Sequence, residues 1–218
     1  MAAKRLRITL FGPQGSGKGT QGELLADRFD IPIVGVGQLL KEEIASRTSL
    51  GKIVKTYVDA GTLVPDDLTN AIVQKRLNKQ EAERGFILDG YPRTVDQAIW
   101  LDKTLKISLA IHIKISDDES VRRLSGRVQC VQCKQTYHLK FSPPIRKDVC
   151  AICGGKLVRR KDDTPAVIRK RLETYHFMTE PLARYYRQRG ALLNVNGEQP
   201  IPYVFEDIIK KMTKLGFK

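Results

Sequence analysis

Apolar runs too short for helices recur along the chain, each followed by a longer stretch of mixed polarity. Residues 6–11, 31–36, 86–89, 109–115 and 192–195 form such runs, with the near-continuous hydrophobicity of strands buried on both faces. After the first run a helical pattern starts near Lys18 and includes Leu24, Leu25 and Phe29. This alternation predicts an α/β fold: a doubly wound, parallel five-stranded sheet with helices on both faces. Thr164 and Pro165 predict a further helix start, N-cap followed by N1, with Ile168, Leu172 and Tyr175 on one apolar stripe and Arg171 beside it. Two stretches break the alternation. One is a polar helical region over 38–65; the other, 128–160, contains every cysteine. Both are expected as insertions over the carboxyl edge of the sheet, where ligands bind in such folds. The expected division is therefore a core of 1–34, 66–126 and 162–218, with insertions at 35–65 and 127–161. There is no internal repeat and no low-complexity segment.

At 218 residues the chain can bury a substantial core without disulfides. The net charge of +14 calls for an anionic partner, and nucleotides, nucleic acid and anionic membrane surface all satisfy it. Its distribution is more informative: residues 127–161 hold nine Lys or Arg and a single acid, Asp148. No apolar run is long enough for a membrane-spanning helix, and the basic start, 1–7, leads directly into a strand pattern. The expectation is a cytoplasmic protein with no membrane partner.

The first strand runs into Gly12-Pro13-Gln14-Gly15-Ser16-Gly17-Lys18, which opens the first helix. Strand, glycine-rich turn and helix in that order are the context of a phosphate-binding loop. Glycines let backbone N–H groups turn inward around an anion, the helix N-terminus adds its dipole, and Lys18 reaches the β- and γ-phosphates. The residue after Lys18 is Gly19 rather than the usual Ser or Thr, and the hydroxyl follows at Thr20. Asp89 ends an apolar strand on the same edge, where a carboxylate can organise the waters of a phosphate-bound magnesium ion or simply cap a turn. Arg123 and Arg127, four apart, share a helix face if that helix reaches the second insertion. Arg171 lies on the core side of its helix, where it meets either an anion or one of Asp162, Asp163 and Glu173.

The string Gly12 to Gln21, ending Gly-Lys-Gly-Thr-Gln, resembles the adenylate kinase family. So do Asp89-Gly90-Tyr91-Pro92-Arg93-Thr94 with Gln97, then Gly126-Arg127, Arg160-Lys161-Asp162-Asp163 and Arg169-Lys170-Arg171-Leu172. The resemblance covers nearly the whole chain and implies a monomeric nucleoside monophosphate kinase that transfers phosphate from Mg·ATP to AMP. It implies that Gly12, Gly15, Ser16, Gly17, Lys18, Gly19 and Thr20 hold the donor phosphates, and that Gly90, Arg93 and Gln97 hold the acceptor. It further places Arg123, Arg127, Arg160 and Arg171 around the phosphates and donor, Asp162 and Asp163 at the lid hinge, and Gln199 on the donor side. In this reading 35–65 binds the acceptor and 127–161 is a lid. Such transfer needs no catalytic His, Cys or Ser, because the attacking group is already an anionic phosphate oxygen. His112, His138 and His176 are accordingly expected to be structural.

Cys130-x-x-Cys133 and Cys150-x-x-Cys153, sixteen residues apart, have the spacing of a four-thiolate zinc site. A pair of disulfides is the competing reading, disfavoured in a reducing compartment. Four thiolates leave no open position, so a zinc here is structural.

The acceptor insertion departs from the family pattern at Val36, where a base-facing hydroxyl is usual, and at Lys41, which replaces a two-pronged arginine. A kinase for another nucleoside monophosphate is therefore an alternative. A third reading, a nucleic-acid-binding zinc ribbon with Tyr137, His138 and Phe141 as stacking groups, leaves the second arginine set without a purpose.

Overall fold

The computed structural model describes residues 5–60, 62–77, 83–160 and 163–217. Lys161 and Asp162, both in the hinge motif, lie outside them. The core sheet contains β1 (Leu6–Phe11), β2 (Ile33–Gly35), β3 (Gly85–Asp89), β4 (Leu109–Lys114) and β8 (Leu192–Asn196). Its order is β2-β3-β1-β4-β8 and every pairing is parallel. The chain leaves β1 toward one edge of the sheet and later returns to the other, which makes the carboxyl end of β1 the topological switch point.

Both faces of the sheet are covered, as the continuous apolar runs require. Ile8 and Leu10 pack with Leu25 of α1 (Lys18–Phe29) and with Val204 and Ile208 of α9 (Ile201–Lys214). Phe11 faces the other way, into a core shared with Val73 of α4 (Asp66–Leu77), Leu101 of α5 (Val95–Thr104) and Tyr186 of α8 (Leu182–Gln188). Thr9, the polar residue inside the first run, is fully buried and donates to the Tyr91 carbonyl oxygen at 2.5 Å. A buried hydroxyl paired in this way carries little penalty.

The first insertion, helical as expected, is two helices, α2 (Val36–Ala45) and α3 (Ser49–Ala60). The break falls at Arg47, which has φ of 55°. Beyond it α3 folds back so closely that a Cβ on Gly51 would stand 2.1 Å from the Glu43 carbonyl oxygen. The second strand is also shorter than expected: Val36 already begins α2, with Gly35 as its N-cap.

The second insertion is a three-stranded antiparallel sheet of β5 (Arg127–Cys130), β6 (Thr136–His138) and β7 (Leu157–Val158), in the order β6-β5-β7. Its buried core is only Val128, Cys130, Cys150 and Leu157, with Tyr137 packed against them. It is entered from α6 (Asp117–Ser125) and left into α7 (Pro165–Thr174), whose N-cap is Thr164 as expected, its hydroxyl accepting from Val167 N–H. Ile168, Leu172 and Tyr175 are buried, Tyr175 beginning a π-helical turn, Tyr175–Thr179. Helix α6 stops at Ser125, so Arg123 and Arg127 do not share a helix face. Gly126 ends the helix, and a Cβ there would stand 2.6 Å from the His138 ring.

Candidate functional site

The loop after β1 folds over the sheet edge because its glycines adopt conformations that other residues resist. Gly12, Gly15 and Gly17 have φ of 150°, 82° and 93°. A Cβ on Gly12 would stand 2.2 Å from the Ile113 carbonyl oxygen of the adjacent strand. Gly17 caps α1 without a side-chain acceptor. The first amides of the helix, which have no partner within it, are thus left for an anion. Ser16 is buried in the loop, and Thr20 is exposed on the first turn of the helix.

Lys18 Nζ donates to the carbonyl oxygens of Gly12 and Pro13 at 2.9 and 2.8 Å and lies 3.4 Å from Ser16 Oγ. Burial pushes its pKa down to about 8; Asp89 opposes the shift, and Arg93, Arg171 and Arg127 add to it. Those arginines come from three places: the β3–α5 connection, α7 and β5. Three separate elements therefore bring positive charge near one ammonium, an excess that Asp89 offsets only in part and that favours a bound anion. Asp89 stands at the end of β3, its carboxyl raised by burial against the pull of Lys18 and Arg93. A Cβ on Gly19 would lie 3.5 Å from Asp89 Oδ2, so the glycine after Lys18 keeps the space beside this carboxylate open.

The lid arginines are held by one acid. Asp163 accepts from Arg127 Nε and Nη2 at 2.8 and 2.6 Å, and its carboxylate lies 3.7 Å from Arg171 Nη1. Of the ion-pair partners open to Arg171 on sequence grounds, Asp163 is brought to it among the described residues, and Asp162 lies outside them. Arg160 is half-buried, two residues beyond the end of β7. Arg123 is fixed next to the loop, donating to Glu119 at 2.6 Å, to the Gly15 carbonyl at 3.3 Å and to the Gly197 carbonyl at 2.8 Å. Gln199, two residues beyond Gly197, is exposed and donates to the Asn196 carbonyl at 3.3 Å. Gln14 and Ser120 tie the loop to both arms of the lid: Ser120 Oγ donates to Gln14 O, and Gln14 Nε2 to Arg171 O.

On the other side of the switch point a cleft lies between the first insertion and β3. Val36, Leu40, Val64 and Tyr91 form its apolar wall; Gly90, Arg93 and Gln97 form its polar one. Arg93 Nε donates to the Gly90 carbonyl at 2.9 Å. Val36 and Leu40 are one turn apart on α2 and share a face, whereas Lys41, a further 100° around the helix, is exposed and does not line the cleft.

The four cysteine sulfurs lie within 4.8 Å of one another, with Cys130–Cys153 and Cys133–Cys150 both at 3.5 Å. Tetrahedral ligation at about 2.3 Å places sulfurs roughly 3.8 Å apart, so the cluster fits one zinc-sized ion. All four are free thiols rather than disulfides. The Tyr137 hydroxyl accepts from Ala151 N–H at 3.0 Å and donates to Cys150 Sγ at 3.3 Å, which brings that thiol down to about 6. Tyr137 is thus a support for the cluster rather than a free stacking group. His138 Nδ1 accepts from two backbone N–H groups, and its ring packs on Phe141, over which Arg122 also sits. His112 is buried in β4 beside Tyr175, and His176 bridges Asp117 and Glu180. None of the three histidines approaches the loop as a ligand among the described contacts.

A doubly wound sheet with a glycine loop at its switch point, a half-buried lysine hydrogen-bonded to that loop, and arginines in the cleft and at Asp163 defines a P-loop phosphotransferase. The adenylate kinase family profile matches residues 10–191. The chain is 43% identical over 212 residues to the adenylate kinase of Caldanaerobacter subterraneus subsp. tengcongensis, covering 95% of this chain and 96% of that one. It is also 43% identical to the adenylate kinases of Syntrophomonas wolfei, covering 96% of this chain and 100% of the relative, and of Methanosarcina barkeri, covering 97% and 100%. The chain belongs to the adenylate kinase family.

Proposed function

We propose that this protein catalyses reversible transfer of the terminal phosphate of Mg·ATP to AMP, giving two ADP. The observation that carries the reading is the placement of arginines in two sets, Arg93 in the cleft beside β3 and Arg127 with Arg171 at Asp163, all close enough for their charge to act on Lys18. A nucleotide switch with one phosphate group to hold has no use for two sets of arginines. A kinase, which must bring two anions together, does.

In this mechanism the loop amides and Lys18 hold the donor phosphates, and Arg93 holds the acceptor phosphate at the mouth of its cleft. An acceptor phosphate oxygen forms a bond to the γ-phosphorus while the bond from that phosphorus to the β–γ bridging oxygen breaks. The attacking oxygen is already ionised, so no side chain has to remove a proton. Lys18, Arg127 and Arg171 neutralise charge as it shifts toward the leaving diphosphate. Asp163 pre-positions the two lid arginines, and Arg123 holds a flat guanidinium next to the loop on the donor side. Magnesium bound to the donor phosphates would be held through waters by Asp89, with the Thr20 hydroxyl nearby, and would supply further charge neutralisation. Cys130, Cys133, Cys150 and Cys153 would hold a structural zinc ion. We assign 35–65 to acceptor binding and 127–161 to a lid that excludes water, because an open site would hydrolyse the donor. Asp162 and Arg160 belong to the lid arm in this assignment.

The test is diphosphate formation from Mg·ATP with AMP, GMP, CMP and UMP in turn. Transfer with AMP preferred is expected. Absence of transfer to every acceptor would overturn the reading, and preference for another monophosphate would replace AMP by that acceptor.

A further inference from the structure

The polar wall of the acceptor cleft contains a side-chain network. Gln97 is 2% exposed, so its amide must find its partners inside the protein. Its Oε1 accepts from the Arg93 backbone N–H at 2.7 Å, and its Nε2 donates to Asp66 Oδ1 at 2.7 Å. The second oxygen of Asp66 accepts from the Thr94 hydroxyl at 2.6 Å. Thr94 in turn is the N-cap of α5, its oxygen accepting from Gln97 N–H at 3.1 Å. Each role in this network is forced. A backbone N–H can only donate, and a carboxylate can only accept. The two ends of an amide are otherwise interchangeable in shape, and only such partners decide which way it points.

We infer that Asp66 is a positioning residue that locks the Gln97 amide in one orientation and thereby sets which purine the acceptor cleft takes, an inference that rests on the acceptor assignment proposed above. Each locked end keeps capacity toward the cleft: Nε2 has a second hydrogen and Oε1 a second lone pair. Together they present a donor and an acceptor in fixed order. A 6-aminopurine offers the complementary pair, a ring nitrogen that accepts beside an amino group that donates. A 6-oxopurine offers the reverse, an N–H beside a carbonyl, and meets it only if the amide turns over. Turning it over sets Nε2 against the Arg93 N–H and Oε1 against the Asp66 carboxylate, two buried mismatches. Val36 adds an apolar wall with no side-chain hydrogen bond of its own, and the hydroxyl proton of Thr69, which also lines the cleft, is taken by the Val64 and Pro65 carbonyls.

The experiment compares AMP with IMP as acceptors, with Mg·ATP as donor. Asp66→Ala is expected to raise KM for AMP about tenfold and to narrow the AMP-to-IMP ratio of kcat/KM by about tenfold, the scale of one buried hydrogen bond. KM for Mg·ATP should not move. Asp66→Asn should restore most of the discrimination, since Asn Oδ1 can accept from Gln97 while its Nδ2 donates to Thr94. An acid in the first turn of α4 also favours the helix dipole. If that were the role of Asp66, Asn, which has no charge, would behave like Ala. Asp66→Ser, too short to reach Gln97 but compatible with a helix start, serves if the alanine variant does not fold. Gln97→Ala separates the two ideas. If it leaves KM for AMP unchanged, the acceptor assignment of the cleft falls and the inference with it. If it raises that KM while Asp66→Ala and Asp66→Ser keep the wild-type AMP-to-IMP ratio, the acceptor assignment stands and the role of Asp66 is overturned.

Discussion

At the scale of single residues, Lys18 shows how function and stability pull apart. Its pKa is held at about 8, first by burial and then by arginines around it. An unfolded lysine titrates near 10.4, so between those values the unfolded chain binds more protons than the folded one. Stability associated with this group is therefore lowest below pH 8 and rises as pH climbs toward 10. Lys18→Met is expected to abolish transfer yet raise the melting temperature at pH 7, with the gap to the parent closing by pH 10. Melting curves at the two pH values check this; a variant less stable at pH 7 would show that the ammonium's bonds to Gly12 and Pro13 outweigh its burial. At Gly19 a Cβ would touch Asp89 Oδ2 at an ordinary 3.5 Å, so the glycine leaves space beside that carboxylate without being sterically required.

At the scale of elements, the lid is the piece least able to hold itself. Four buried residues form its core, far too few to offset the chain entropy of ordering more than thirty residues by burial alone. Zinc-finger peptides gain roughly 10–16 kcal/mol from metal binding, and that gain is folding free energy. A strong chelator is expected to release one zinc per chain and to lower the melting temperature, with activity falling as the lid arginines lose their mounting. Metal analysis with melting curves before and after chelation reads this directly; no metal and an unchanged curve would remove zinc from the account. The arms on either side are better secured. Gly126 and Thr164 mark clean helix boundaries, and Asp163 joins Arg127 on one arm to Arg171 on the other.

At the scale of the whole molecule, phosphate is what the charge distribution awaits. Lys18 and its neighbouring arginines repel one another, and a bound polyphosphate turns that repulsion into attraction, stabilising the folded state by mass action. Mg·ATP at 100 times its Kd is expected to add about 2.7 kcal/mol, an increase that calorimetry would detect. Added salt, by screening the same charges, should raise that Kd. A melting temperature indifferent to Mg·ATP would contradict a donor site at this loop. The sequence by itself determined the parallel sheet, because doubly covered strands need unbroken apolar runs and those runs are spaced by helices. It also determined the phosphate loop and the cysteine cluster, whose chemistry lies in local spacing: glycines where the backbone must turn, and two pairs of cysteines with two residues between the members of each pair. Tertiary structure alone decided what depends on contacts between distant segments. Arg123 and Arg127 looked like one helix face, but His138, folded back from β6, occupies the space beside Gly126 where the helix ends. Val36 and Leu40, not adjacent in sequence, are brought to one cleft wall with Tyr91 by the turn of α2, while Lys41 on the same helix is exposed. Asp66 carried no signal at all, since its partners Thr94 and Gln97 lie 28 and 31 residues away and meet it only when α4 packs on α5. Local periodicity records which face of an element is buried, whereas the partner waiting on that face is set by the fold.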